Sequence, residues 1–280
     1  MNSRDTQDVI LRLLADGPLR TAAIQGQAGG DPDVAFVLAR VDAPALDRFG
    51  RFLCRHFYRE RVLHFFKYSR ALFSLTGRAP DAVLKTPEFN ALLPQLVMGE
   101  LDSARKVLAL LETHLLGNAD SIRAAVPYWD DLVRYQGLFF LTDALPTDNT
   151  VVAGARFPAR APTAAILELA WDLPPVLPQL VKPFERLPLA SRQATRLLFA
   201  RSAEGEVSVL RCTDVLRDLL VGMTGEQDPR ELARPLGLDT ASLEKTMQRL
   251  EQLGAVISQG SFSASHRGSE VSPAATPPGR

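Results

Sequence analysis

The sequence predicts an α+β protein, an all-helical N-terminal domain followed by a smaller domain of three strands and then three helices. Three observations predict it. Helix-period apolar patterns fill most of residues 5–145. The stretch 146–162, with three prolines and a glycine, interrupts them. Beyond it, apolar runs of strand length precede a last block of capped helical patterns.

The first helix covers 5–15 (DTQDVILRLLA) and ends at Gly17-Pro18. Residues 25–33, rich in Gly and Asp, read as a loop. A helical pattern runs over 43–75 with no proline after Pro44, as one long helix or as two with a bend, closed by Gly77 and Pro80. Thr86-Pro87-Glu88 opens another helix with proline at its first position. Residues 102–116 are strongly periodic and stop at Gly117-Asn118. Residues 127–145 form a further helix with Leu132, Tyr135, Phe139 and Phe140 as its apolar set. The helical domain is therefore 1–145, and 146–162 is a linker.

In the second domain, 163–258, residues 164–171 (AAILELAW) read as a strand. A proline-rich stretch with Pro174, Pro175, Pro178, Pro183 and Pro188 follows. Two β-type runs, 194–201 and 206–212, flank Ser-Ala-Glu-Gly, a hairpin signal. Helical patterns occupy 214–222, 228–236 and 240–253, and a short apolar exit lies at 255–257. Residues 259–280, of Ser, Gly, Pro and Ala with hardly an apolar anchor, read as a disordered tail.

Composition narrows the function classes. Formal net charge is zero, whereas proteins that live on nucleic acid or anionic lipid carry excess Lys and Arg. The two cysteines, Cys54 and Cys212, are far apart in apolar contexts and read as reduced core residues. The polar start lacks the pattern of a signal peptide, and no apolar run has the length of a membrane span, so the expected address is the cytoplasm. No HExxH, CxxC, GxSxG or P-loop motif occurs, and His56, His64, His114 and His266 have no chelating spacing. No catalytic residue and no metal ligand is assigned, and an enzyme with scattered residues has the weakest support. Asp130 and Asp131 lie at a helix start, where they complement the helix dipole.

Arg48, Arg51, Arg55 and Arg59 recur at spacings that place them on one helical face, and residues 48–70 hold seven basic residues and one acid. Such a face is either solvated or meets an acidic partner or, less in keeping with the net charge, a phosphate backbone. Residues 228–257 have helix-turn-helix geometry. Lys245, Gln248 and Arg249 would face DNA in a reader, but 228–253 carries four basic residues against five acids, a poor balance for neutralising phosphates. A winged-helix DNA-binding transcriptional regulator with a helical dimerisation or ligand domain is thus the alternative reading.

The order strand, hairpin, three helices is that of winged-helix domains of the PqqD-like type, which this segment resembles. In that fold the free edge of the third strand takes a leader peptide as a further strand. The resemblance implies peptide contacts at Val207, Val209 and Arg211, and a groove wall of Leu243, Met247 and Leu250. With 57–77 (FYRERVLHFFKYSRALFSLTG), 128–146 (YWDDLVRYQGLFFLTDALP), 194–212 and 231–257 taken together, the chain resembles the TglI-like partner subunits of multinuclear-iron TIM-barrel enzymes of the TglH/MbnB type. These act in ribosomal-peptide natural-product biosynthesis. The resemblance implies an accessory subunit that forms a heterodimer with the iron enzyme and holds a small precursor or scaffold peptide. In the 3-thiaglutamate pathway that enzyme excises the β-carbon of the peptide's C-terminal cysteine. No cofactor is then expected in this chain, the iron belonging to the partner, and Arg48, Arg51, Arg55 and Arg59 are the expected partner contacts.

Overall fold

The structure is a computed structural model that describes residues 3–27, 31–146 and 155–258. The tail expected at 259–280 and residues 147–154 of the expected linker lie outside the described residues. A helical region comes first, and a mixed region with small antiparallel sheets and helices follows.

An Asp followed closely by a Pro starts each of the early helices after α1 (Ser3–Ala15). Gly17-Pro18 closes α1, as expected, but also opens α2 (Gly17–Ile24). Asp16 accepts from the Leu19 amide at 2.8 Å, and Pro18 sits in the first turn, where an N–H would have no helical acceptor. α3 (Pro32–Leu38) starts the same way on Asp31, inside the segment expected to be a loop. α4 (Ala43–Phe65) starts on Asp42. Val9, Leu13, Val34 and Val37 form a small core among these helices.

Buried Arg20 ties α1, α2 and α4 together. It donates to the Leu13 and Leu14 carbonyls at 3.0 and 3.1 Å and to Asp47 at 3.1 Å, and Asp47 also accepts from Arg51 at 2.7 Å. Partial burial raises the Asp47 pKa, but the hydrogen bonds from Arg51 and Arg20 outweigh it and hold the carboxyl below its ordinary value. A carboxyl whose pKa falls on folding stabilises the fold above its unfolded value and loses that contribution as pH drops through the folded value. Asp47→Asn should therefore flatten part of the stability loss below about pH 4 in denaturant titrations. An unchanged acid profile would remove Asp47 from the account.

The pattern over 43–75 is three helices, α4, α5 (Lys67–Ala71) and α6 (Phe73–Thr76). The break at Phe66 leaves the Tyr68 and Ser69 amides without helical acceptors. Gln136 Oε1 accepts from both, at 3.0 and 3.1 Å, while its Nε2 donates to Ser69 Oγ at 2.6 Å. α7 (Pro87–Leu92) opens on the Thr86 cap, and α8 (Leu101–Leu116), α9 (Asp120–Ala125) and α10 (Trp129–Asp143) complete the region. Trp129, fully buried, donates to the Leu115 carbonyl at 3.0 Å and locks α10 to the end of α8.

The mixed region begins with β1 (Ala159–Arg160), which falls inside the stretch expected to be a linker. Two residues are too few to show a period, and their partner strand lies almost a hundred residues on. β2 (Ala165–Leu169), the short α11 (Leu177–Leu180), β3 (Thr195–Arg201) and β4 (Val207–Arg211) follow. A turn with Gly205 at φ 88° joins β3 to β4, a conformation in which glycine lacks the Cβ penalty. α12 (Asp214–Gly222), α13 (Pro229–Ala233), α14 (Thr240–Gln252) and β5 (Val256–Ile257) end the described chain. β2, β3 and β4 form one antiparallel sheet in that order, and β5 pairs with β1.

Both faces of this sheet are covered. Leu197 and Phe199 turn toward α10, with the Phe199 ring edge-on to Tyr135 at 5.5 Å. Leu198 and Ala200 face the other way, onto Leu219, Leu220, Leu243 and Leu250 of α12 and α14. The sheet thus completes the core of the helical region and the core of the C-terminal helices at once. Asp131 of α10 fixes the first contact by accepting from the Ala170 and Trp171 amides at 2.6 and 3.0 Å, just past β2. Gly254 (φ 72°) fixes the second, since a methyl group there would lie 2.1 Å from the Arg201 carbonyl oxygen.

Candidate functional site

β4 is an edge strand. Among the described residues its only strand partner is β3, with Leu198 opposite Leu210, Phe199 opposite Val209 and Ala200 opposite Ser208. The Cys212 amide donates to the Arg196 carbonyl at 2.8 Å and the Ser202 amide to the Glu206 carbonyl at 2.9 Å. Antiparallel ladders alternate, so Ser208 and Leu210 spend their amide groups on β3. Val207, Val209 and Arg211 therefore turn their N–H and C=O groups outward, and none of these meets a backbone partner among the described residues. Three consecutive outward positions are the template an added strand needs.

A groove of about 420 Å³ runs beside this edge on the α12/α14 side. Leu216, Leu219 and Leu250 line its floor, and Lys245, Thr246 and Arg249 its outer wall. Thr213 accepts from the Leu216 amide at 3.2 Å and so starts α12 directly beneath the end of β4. Asp239 caps α14 through the Ser242 amide at 2.7 Å, and the spacing from that cap turns Lys245 and Arg249 toward the groove.

Of the residues expected at this site, Val207, Val209 and Arg211 lie on the outer edge of β4 and Leu250 lines the groove. Leu243 is buried in the core between the sheet and α14, and Met247 packs against that core, so neither lines the groove. An apolar helical stripe goes to the core first, and the groove receives the positions flanking it. The Arg211 guanidinium is already held by Asp172, at 2.7 and 2.9 Å, which leaves its backbone groups for the edge.

The arginines of α4 divide. Arg48, Arg55 and Arg59 are exposed. Arg51 instead belongs with Asp47 and Arg20, as described above, and helps hold α4 to α2. Arg55 bonds Asn90, Arg59 pairs with Glu60 at 3.3 Å, and Arg48 has no ion-pair partner among the described residues. Phe49 and Phe52, 51% and 62% exposed, stack between these arginines with ring centroids 6.3 Å apart, and His56 stacks on Phe52 at 6.3 Å. The sequence gives no sign of these exposed rings, because aromatic residues on an amphipathic helix read as core.

Among the described residues no three His, Cys, Asp or Glu side chains converge as metal ligands would. Both cysteines are buried. Burial pushes the Cys54 thiol up to about 11 and raises that of Cys212, which keeps both protonated at neutral pH. Among the described residues no helix is long and apolar enough to cross a membrane. No protein-family model matches the chain, and no curated protein matches it.

Proposed function

We propose that the chain is a non-catalytic partner protein that captures an extended peptide as a fourth strand on β4. The observation that carries this reading is the outer edge of β4, where Val207, Val209 and Arg211 offer unspent backbone groups beside an apolar groove with a cationic rim. Main-chain bonds to that edge supply affinity, and side chains in the groove supply selectivity. Lys245 and Arg249 favour acidic residues in the peptide. On the resemblance described above, the peptide is a ribosomally made precursor or scaffold. The protein then acts as a PqqD-like subunit in a heterodimer with a multinuclear-iron TIM-barrel enzyme that modifies the peptide's C-terminal cysteine. The exposed Arg48, Phe49, Phe52, Arg55 and Arg59 face suits an acidic surface of that enzyme.

Affinity recovery of the tagged chain, with mass spectrometry and metal analysis, tests the assignment. The expected result is a one-to-one complex with an iron-bearing barrel enzyme that modifies a peptide cysteine only in the presence of this chain. Recovery of DNA, with a steep salt dependence of binding, would replace it with the regulator reading. Reversing two of the three exposed arginines, Arg48→Glu with Arg59→Glu, should slow association with the recovered enzyme roughly tenfold at low salt and flatten its salt dependence. Unchanged association kinetics would return this face to solvent.

A further inference from the structure

A second cavity, of about 290 Å³, opens on the opposite side of the same strand edge. Tyr68 of α5 and Tyr135 of α10 line it, together with Pro174, Leu177 and Pro178 of the proline-rich stretch and Val209 of β4. Leu210 and Arg211 line this cavity and the α12/α14 groove alike, so the two flank one edge. The prolines make a wall without amide donors. The Arg211–Asp172 ion pair, at 2.7 Å, ties that wall to β4 and fixes the width of the opening.

Tyr135 is only 7% exposed. Tyr68 is half-buried, and neither hydroxyl bonds another protein group among the described residues; neither is sealed in the core as the unpartnered Tyr58 hydroxyl is. Burial raises the pKa of both, Tyr135 to about 12 with Tyr68 adding to its shift, so both hydroxyls are donors at neutral pH. Two phenol donors without protein partners therefore line a cavity whose other walls are proline, leucine and valine, apart from the Asp172-paired Arg211, beside an unspent strand edge.

Successive side chains of an extended peptide point to opposite faces. We infer that the cleft on β4 is two-sided, and that the helical region reads every second residue of the peptide through the Tyr68/Tyr135 cavity. This inference rests on the strand-addition reading above and adds the substrate class. The captured segment carries a large side chain ending in an oxygen acceptor, which fills the tyrosine cavity. Its two neighbours turn into the other groove, an aliphatic one over Leu216, Leu219 and Leu250 and a carboxylate one at Lys245 and Arg249. The helical region is on this account part of the peptide site, and the C-terminal domain alone would hold half of it.

The test selects peptides from a random display library on the immobilised full-length chain. Fluorescence anisotropy of the selected synthetic peptides is then compared for wild type and folded variants. Tyr135→Phe, which keeps the ring and removes the donor, should weaken binding about tenfold, the worth of one good hydrogen bond. Tyr68→Ala should weaken it further, and both should relax the preference at the central position alone. Lys245→Glu with Arg249→Glu should shift the preference at the neighbouring position from acidic to basic. Peptides that lose affinity for Val209→Pro yet ignore the Tyr68 and Tyr135 variants would overturn the two-sided cleft and leave strand addition standing. Selection of no peptide at all would overturn both.

Discussion

Val209→Pro is expected to weaken peptide capture by about tenfold or more while leaving the fold intact. The Val209 amide points away from β3, so proline there removes no bond of the β3–β4 ladder. Proline is tolerated on edge strands whose N–H faces out. Its ring also retains an apolar contact toward the helical region, where Val209 packs. For an incoming strand the change is severe. The central donor of the edge disappears and the ring occupies the space of the peptide's carbonyl, a loss of about tenfold or more in affinity. Leu210→Pro is the contrasting variant, because its amide belongs to the ladder and its loss should melt the hairpin. Thermal unfolding separates the two, and a folded Val209→Pro that binds selected peptides like wild type would dismiss the edge as the site.

The second large effect concerns the anchor that sets the sheet on the helical region. Asp131→Ala leaves the Ala170 and Trp171 amides without the acceptor they use in the native state. Hydrogen bonds to a charged acceptor are worth about 1.5–3 kcal/mol each, and because Ala170 is exposed and Trp171 half-buried, water partly replaces the lost acceptor, so losing both should cost about 2–4 kcal/mol in denaturant unfolding. Asp131→Asn keeps an oxygen in the same place and should recover most of this. Loss of stability by Ala with recovery by Asn identifies the hydrogen bonds as the cause. Equal losses would point to the carboxylate charge, which Arg134 pairs at 3.3 Å. The sequence places Asp131 at a helix start and suggests a role toward the helix dipole. Its two backbone bonds run instead to the chain after β2, which only the folded arrangement brings close.

Several elements were legible because their signals are local. Thr86-Pro87 and Asp228-Pro229 mark helix starts by side-chain caps, and the periodic stretch that became α8 marks itself by burial spacing. The hairpin between β3 and β4 was legible from two apolar runs around a glycine-bearing turn. What escaped depends on distant partners. The bend at Phe66 is held by Gln136, β1 exists only because β5 returns to it, and α2 hides behind a Gly-Pro pair that stops one helix while Asp16 starts the next. At the site, the free edge of the third strand was an expectation from the resemblance, whereas the hairpin itself was legible from the residues. The groove wall was not, since Leu243, Met247 and Leu250 share one apolar stripe and only packing against the sheet shows that Leu243 and Met247 join the core while Lys245, Thr246 and Arg249 flank the opening. Tyr135 likewise reads as a core aromatic until the proline-rich stretch is seen folding over it.

The most direct measurement is amide hydrogen exchange, residue by residue, on the full-length chain with and without a peptide selected from the display library. Strand addition predicts that the Val207, Val209 and Arg211 amides, fast in the free protein, slow markedly when peptide binds. Ser208 and Leu210, already bonded to β3, should change far less. Peptide binding that leaves those three amides fast, and protects the α4 face or the outer surface of α14 instead, would contradict the account.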